Sequence, residues 1–140
     1  LIINGTDNTD YFLYKFNISK KDQKRIKGID NFYKEKTNSK TFTEQNINKI
    51  FYYYGKEATL DILNYRIVKS KKVDNYLMKL KKHYENSEVP VMPLSADFIM
   101  KKYEISEGRQ LGETLKIIEE KWVKNNFKIS THEVDNIVNN

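Results

Sequence analysis

Residues 89–127 read VPVMPLSADFIMKKYEISEGRQLGETLKIIEEKWVKNNF, and the pattern of this stretch predicts the fold class. The stretch contains both prolines of the chain and two of its five glycines. Its second half predicts a long amphipathic helix, because apolar side chains recur there at helical spacing and form one stripe. The stripe consists of Leu111, Leu115, Ile118 and Trp122.

A shorter helix is predicted ahead of this one. Ser95 suits the N-cap position, and Asp97 places a negative charge in the first turn, where the helix dipole favours it. The side chains expected to face the core are Phe98, Ile99 and Tyr103.

The remainder of the chain has the same helical periodicity, with suitable residues at the helix ends. Ser19 and Thr43 suit N-cap positions, and Ser130 followed by Glu133 has the spacing of a capping box. Gly55 suits a helix C-cap. No run shows the two-residue alternation of a strand, so we predict an all-α fold, a compact bundle of about six to eight helices without a sheet.

The interior of this bundle is predicted from the periodic apolar positions. Before residue 89 it consists of Ile26, Ile29, Phe32, Tyr33, Ile47, Ile50, Phe51, Tyr54, Leu60, Leu63, Ile67, Val73, Tyr76, Leu77, Leu80 and Tyr84. In the last predicted helix it consists of Val134, Ile137 and Val138. Asn4-Gly5 predicts a turn, and the polar residues 37–43 predict a loop.

The composition restricts the class of protein. A length of 140 residues with 39% hydrophobic residues suits one domain or two small helical subdomains. The absence of cysteine excludes a disulfide framework and a cysteine-based zinc site. No run approaches ~18 apolar residues and no signal peptide opens the chain, so we expect a cytoplasmic protein without a membrane segment. The start at Leu1 suggests a fragment of a longer protein.

The net charge of +6 favours an acidic partner. The 22 lysines against three arginines also fit the codon bias of an AT-rich genome, which raises the charge without any role in binding. Residues 20–36 carry seven basic and three acidic side chains, a net charge of +4. Both a solvated face and a phosphate-facing surface remain open for this helix.

The motifs of residues 89–127 resemble the C-terminal end of bacterial CCA-adding tRNA nucleotidyltransferases and their poly(A) polymerase relatives. In that family a Pro-x-x-Pro-Leu run precedes a short helix with an Asp, a Gly-x-x-x-Gly opening and a long helix with Glu-x-x-Trp. The chain departs from the family at Ala96, where Gly is common, and at Glu107, where Pro is common. The matching positions are Pro90, Pro93, Leu94, Ser95, Asp97, Gly108, Leu111, Gly112, Leu115, Glu119 and Trp122.

The resemblance implies a parent enzyme that adds C, C and A to tRNA 3′ ends or adenylates RNA, using CTP or ATP with Mg²⁺. It implies that residues 1–88 are a helical body and residues 89–140 a tail, which together grip the tRNA elbow. The chain lacks the Asp-x-Asp that holds the catalytic metals. We therefore expect no catalytic residue, metal ligand or cofactor here, inactivity in isolation, and tRNA and the rest of the parent chain as partners. CCA addition and poly(A) synthesis both remain open.

Basic residues on outer helix faces are the candidate RNA contacts, because they bind phosphate without reading bases. They are Arg109, Lys101, Lys102, Lys116, Lys81 and Lys82. A cation at the N-terminal end of a helix opposes the dipole, so Arg109 predicts either an outside anion such as a tRNA phosphate or a local pair with Glu107 or Glu113. Gly112 is expected to pack against Pro90–Leu94, where a larger side chain would clash.

Two other classes of protein remain open. In a helical protein–protein interaction domain the lysines would serve solvation alone. A DNA-binding helix-turn-helix through Thr43–Lys69 would need polar base readers on its second helix. The candidate readers are Asp61, Asn64 and Arg66. Trp122 is expected in the core rather than as a stacking platform, and His83 and His132 are expected on the surface.

Overall fold

The computed structural model describes residues 8–35 and 42–139, and within these ranges it contains eight helices and no strand. The helices are α1 (Thr9–Lys15), α2 (Lys20–Glu35), α3 (Glu44–Tyr54), α4 (Lys56–Lys69), α5 (Asn75–Asn86), α6 (Ala96–Tyr103), α7 (Arg109–Lys124) and α8 (Thr131–Val138). The predicted all-α fold is confirmed. The turn at Asn4-Gly5 and most of the loop 37–43 lie outside the described residues.

The chain divides into two compact units, which we call unit 1 (residues 1–89) and unit 2 (residues 90–140). Unit 1 contains α1 to α5, and unit 2 contains α6 to α8. Within the described ranges, no helix combines the length and the apolar character that crossing a membrane requires.

The predicted N-cap residues each accept a hydrogen bond from a backbone N–H group of their own first helical turn. They are Ser19, Thr43, Ser95 and Ser130. At Ser130 the capping is reciprocal, because the Glu133 carboxylate accepts from the Ser130 N–H at 2.9 Å. Gly55 ends α3 and precedes α4 with a φ of +91°, which other residues rarely adopt. The two helices therefore meet at a single residue.

In unit 1, α2, α3 and α4 pack on one another, and α5 packs on α4. The Tyr84 ring lies 4.9 Å from that of Phe51, and its hydroxyl donates to Asn48 Oδ1 at 2.7 Å. Burial raises the pKa of Tyr84 above its usual range. The fully enclosed side chains of α3 and α4 include Ile47, Ala58, Ile62 and Leu63.

In unit 2, α7 packs against both α6 and α8. Its core consists of Ile99, Leu111, Ile118 and Val134, with Leu115 half-buried at its edge. Trp122 is only 3% exposed and meets Phe127 edge to face at 5.1 Å. The predicted stripe of α7 is therefore confirmed, and its burial leaves Trp122 no face for stacking on a base.

Three side chains predicted to be inward are exposed instead. Val73 is 85% exposed because Asp74 caps α5 and Val73 precedes the helix. Tyr76 is 52% exposed because α5 buries the adjacent position, Leu77. Phe98 is 46% exposed for the same reason, since Ile99 takes the inward position of α6.

Gly112 is exposed, and a Cβ atom placed there meets no atom within 4 Å. The prediction that Gly112 packs closely against Pro90–Leu94 is therefore wrong. The Gly-x-x-x-Gly spacing begins at Gly108, the N-cap residue of α7, whose φ of +155° does favour glycine.

Replacing Gly112 by alanine is expected to raise the free energy of unfolding by about 0.5–1 kcal/mol, because alanine has the higher helix propensity and meets no steric obstacle. Thermal denaturation followed by circular dichroism measures the change. The Gly108→Ala variant is the control and should be destabilised by its backbone conformation. A loss of stability in Gly112→Ala would contradict the open surroundings of this residue.

Candidate nucleic-acid interface

The positive charge of the chain is concentrated in unit 1. Residues 1–89 carry 18 basic and 11 acidic side chains, a net charge of +7. Residues 90–140 carry seven basic and eight acidic side chains, a net charge of −1. Unit 1 is therefore the part of the chain whose charge favours an acidic partner.

Arg109, the first residue of α7, is engaged within its own helix. Its Nε donates to Glu113 Oε1 at 2.8 Å, one helical turn away. The pair is open to solvent, with 91% of the Arg109 side chain exposed, so its contribution to stability is small. Of the two explanations for a cation at this position, the structure contains the local pair with Glu113.

The lysines of α6 and α7 differ in their surroundings. Lys102 lies 2.9 Å from the Tyr103 hydroxyl and 3.2 Å from Asp135 Oδ1, and the bond to Tyr103 raises the pKa of Lys102. The Tyr103 hydroxyl donates to the Asp135 carboxylate and lowers the pKa of Asp135. Lys101 and Lys116 are exposed and have no partner among the described residues.

Other motif residues of unit 2 lie in or just before the start of α6. Pro90 is half-buried and Pro93 exposed, and Asp97 is exposed in the first turn of α6. They therefore lie on the path of the chain into α6 and at its N-terminal end.

The basic side chains of α2 mostly pair with carboxylates. Arg25 binds both oxygens of Asp61 of α4, at 2.5 and 2.8 Å, and the hydrogen bond to Asp61 raises the pKa of Arg25. Lys21 binds Glu57 at 2.7 Å, and this bond raises the pKa of Lys21 and lowers that of Glu57. Other pairs join Lys27 to Asp10 and Lys34 to Asp30. The contacts favour the first interpretation of α2, a solvated face, over a phosphate-facing surface.

Two of the three proposed base readers of a helix-turn-helix are likewise engaged, and the third, Asn64, is exposed. Both oxygens of Asp61 bind Arg25, and the Arg66 guanidinium lies over the Phe42 ring at 5.5 Å. Gly55 alone joins α3 to α4, whereas a helix-turn-helix has a turn of three or four residues. The geometry therefore contradicts this class of DNA-binding protein.

Among the residues that the structure describes, the largest group of exposed, unpaired lysines close together in sequence lies at the α4–α5 corner, which we define as residues 68–82. Residues 69–82 contain six lysines and a single acidic residue, Asp74. Lysines that are exposed and form no ion pair with any described residue are Lys71, Lys72, Lys79 and Lys82. Lys81 is half-buried and lies 3.5 Å from Glu85. Two of the candidate RNA contacts lie in this corner. Lys82 is therefore unpaired, whereas Lys81 forms an ion pair with Glu85.

Local chemistry fixes the shape of this corner. Asp74 accepts hydrogen bonds from the N–H groups of Tyr76 and Leu77, at 3.0 and 3.1 Å, and so sets the start of α5. Burial of Leu77 and Leu80 turns the opposite side of the helix outward. Lys79 and Lys82 are three residues apart, so they share that outer face.

Sequence reasoning missed Lys71 and Lys72, which precede α5. The signal was the local charge of residues 69–82, a net +5, which exceeds the +4 of residues 20–36. The number of charges alone does not identify a binding surface, because three basic side chains of residues 20–36 pair with carboxylates distant in sequence. They are Lys21, Arg25 and Lys27.

The described residues bring no three His, Asp or Glu side chains together in a way that could hold a metal ion. His83 and His132 are both exposed, as predicted. The resemblance implies that the Mg²⁺ ligands belong to the catalytic head of the parent, and this expectation stays a prediction.

Comparisons with protein-family models, with curated proteins and with solved structures found no match. The resemblance to tRNA nucleotidyltransferases therefore stays a prediction from the sequence.

Proposed function

We propose that the chain binds the phosphate backbone of a folded RNA, with tRNA as the ligand, through the free lysines of the α4–α5 corner. The observation that carries this proposal is the net charge of +7 on unit 1, together with four exposed corner lysines that lack a carboxylate partner in the described structure. Lysine ammonium groups bind phosphate as point charges and need no base-reading geometry.

We propose further that the chain belongs to a longer parent enzyme. The chain would be the C-terminal region of a cytoplasmic tRNA nucleotidyltransferase that performs CCA addition or poly(A) synthesis. The catalytic head, with its Mg²⁺ and CTP or ATP, would belong to the rest of that parent. The motif of residues 89–127 supports this assignment, and the basic surface of unit 1 is consistent with contact to the tRNA elbow.

A helical protein–protein interaction domain is the second candidate. Exposed apolar side chains at the same corner favour it, since Val68 is 82% and Val73 is 85% exposed. The two candidates differ in their response to salt, because counterion release dominates binding to phosphates.

Retention of labelled tRNA on filters, measured with the whole chain over a range of NaCl concentrations, tests the proposed function. If about four phosphates are neutralised, the logarithm of the binding constant should fall with the logarithm of the salt concentration at a slope of roughly −3 to −4. Folded tRNA should bind more tightly than an unfolded strand of equal length. Absence of tRNA binding, or binding that is indifferent to salt, would overturn the proposal.

A further inference from the structure

Tyr76 differs from the other aromatic side chains of the α4–α5 region. It lies in the first turn of α5, is 52% exposed, and makes no ring contact with any described residue. Tyr65 of α4 is comparably exposed, but the Lys69 ammonium lies 5.6 Å from its ring centre and the Tyr33 ring meets it at 5.4 Å. Tyr76 therefore has free ring surface, whereas Tyr65 is engaged.

Unpaired, exposed lysines lie on both sides of Tyr76 in the sequence. Lys79 follows it by three residues on α5, a spacing that brings two side chains to the same helix face. Lys72 precedes Tyr76 by four residues, in the loop that the Ser70 hydroxyl holds by donating to the Lys72 carbonyl at 2.8 Å. An exposed aromatic ring with an exposed lysine before it and another after it in the chain supplies the two elements that bind a single nucleic-acid strand, a stacking surface and phosphate contacts.

We infer that Tyr76 stacks on an unpaired nucleobase while Lys72 and Lys79 bind the phosphates beside it. This inference rests on the proposed function and deepens it, because it defines the ligand as RNA with at least one accessible base, in a loop or a single strand. A continuous A-form duplex keeps its bases stacked on one another and offers no free base face to a tyrosine.

The experiment measures binding by fluorescence anisotropy with three labelled ligands: an RNA hairpin with an open loop, a single strand, and a blunt duplex. The whole chain is compared with Tyr76→Ala and Tyr76→Phe. Tyr14→Ala is the matched control, because Tyr14 of α1 is 88% exposed and lies outside the corner.

Tyr76→Ala should weaken binding to the hairpin and the single strand by roughly tenfold, because one base–aromatic stack is lost. Binding to the duplex should change less than about twofold, because the lysines remain. Tyr76→Phe should bind like the unmodified chain, since phenylalanine keeps the ring. Tyr14→Ala should have no effect on any ligand.

Equal affinities of Tyr76→Ala and Tyr14→Ala for all three RNAs would overturn the stacking inference, while salt-dependent binding of the unmodified chain would still uphold the proposed function. Failure of the unmodified chain to bind any RNA would overturn both. Tighter binding to phosphatidylserine vesicles than to RNA, lost in Val68→Ser/Val73→Ser, would assign the corner to a lipid surface and overturn the inference.

Discussion

Replacing Gly28 by alanine is expected to lower the free energy of unfolding by about 2 kcal/mol, although alanine is the better helix former. Gly28 is buried in α2, and a Cβ atom placed there would lie 2.5 Å from Cγ and 2.7 Å from Cβ of Tyr54. The Cβ atom of Tyr54 is fixed to the backbone of α3, so no rotation of that side chain removes the clash. The two helices would have to move apart.

Urea denaturation of Gly28→Ala measures this loss. Gly112→Ala is the matched control, because it is the same chemical change in a helix where the added methyl group meets nothing within 4 Å. The two variants should shift stability in opposite directions. If Gly28→Ala were as stable as Gly112→Ala, then α2 and α3 would not be in close contact at this glycine.

The pair of glycines also illustrates which features the sequence could predict. Helix starts were predictable because a cap such as Ser130 acts on the N–H groups of its own first turn, within three residues. The packing of a glycine depends on a residue from another helix, and Tyr54 is 26 positions away from Gly28. The Gly-x-x-x-Gly spacing therefore led to the wrong prediction of close packing at Gly112. The glycine in close contact with another helix is Gly28, which lies against Tyr54.

The same limit applies to the candidate site. Basic residues can be counted in the sequence, but a lysine or arginine with a carboxylate partner is a weaker phosphate ligand than a free one. Arg25 pairs with Asp61, 36 residues away, and no local pattern predicts that contact. Arg109 pairs with Glu113 at i, i+4, a spacing that did predict the contact as one of two alternatives. These pairs move the candidate surface from α2 and unit 2 to the α4–α5 corner.

Charge reversal at this corner, in Lys79→Glu/Lys82→Glu, is expected to weaken tRNA binding by roughly 100-fold at low salt. Each lost lysine–phosphate contact costs about 1 kcal/mol, and each new carboxylate adds repulsion of roughly half that size. The logarithm of the binding constant should also fall less steeply with the logarithm of the salt concentration, by about 2 units of slope. Both residues are exposed and glutamate is a comparable helix former, so the fold should be preserved. Filter binding measures the tRNA affinity and its salt dependence, and circular dichroism checks that the fold is preserved.

The matched control is Lys101→Glu/Lys116→Glu, which makes the same charge change at two exposed lysines of unit 2 that also lack partners. If unit 1 supplies the phosphate contacts, this control should lose much less affinity than the corner variant, only the few-fold that its change in net charge produces at long range. If instead the control loses roughly 100-fold and the corner variant binds tRNA normally, the RNA-binding surface lies in unit 2. The lysines first singled out in the motif region would then be the phosphate ligands, and the α4–α5 corner would be a solvated surface.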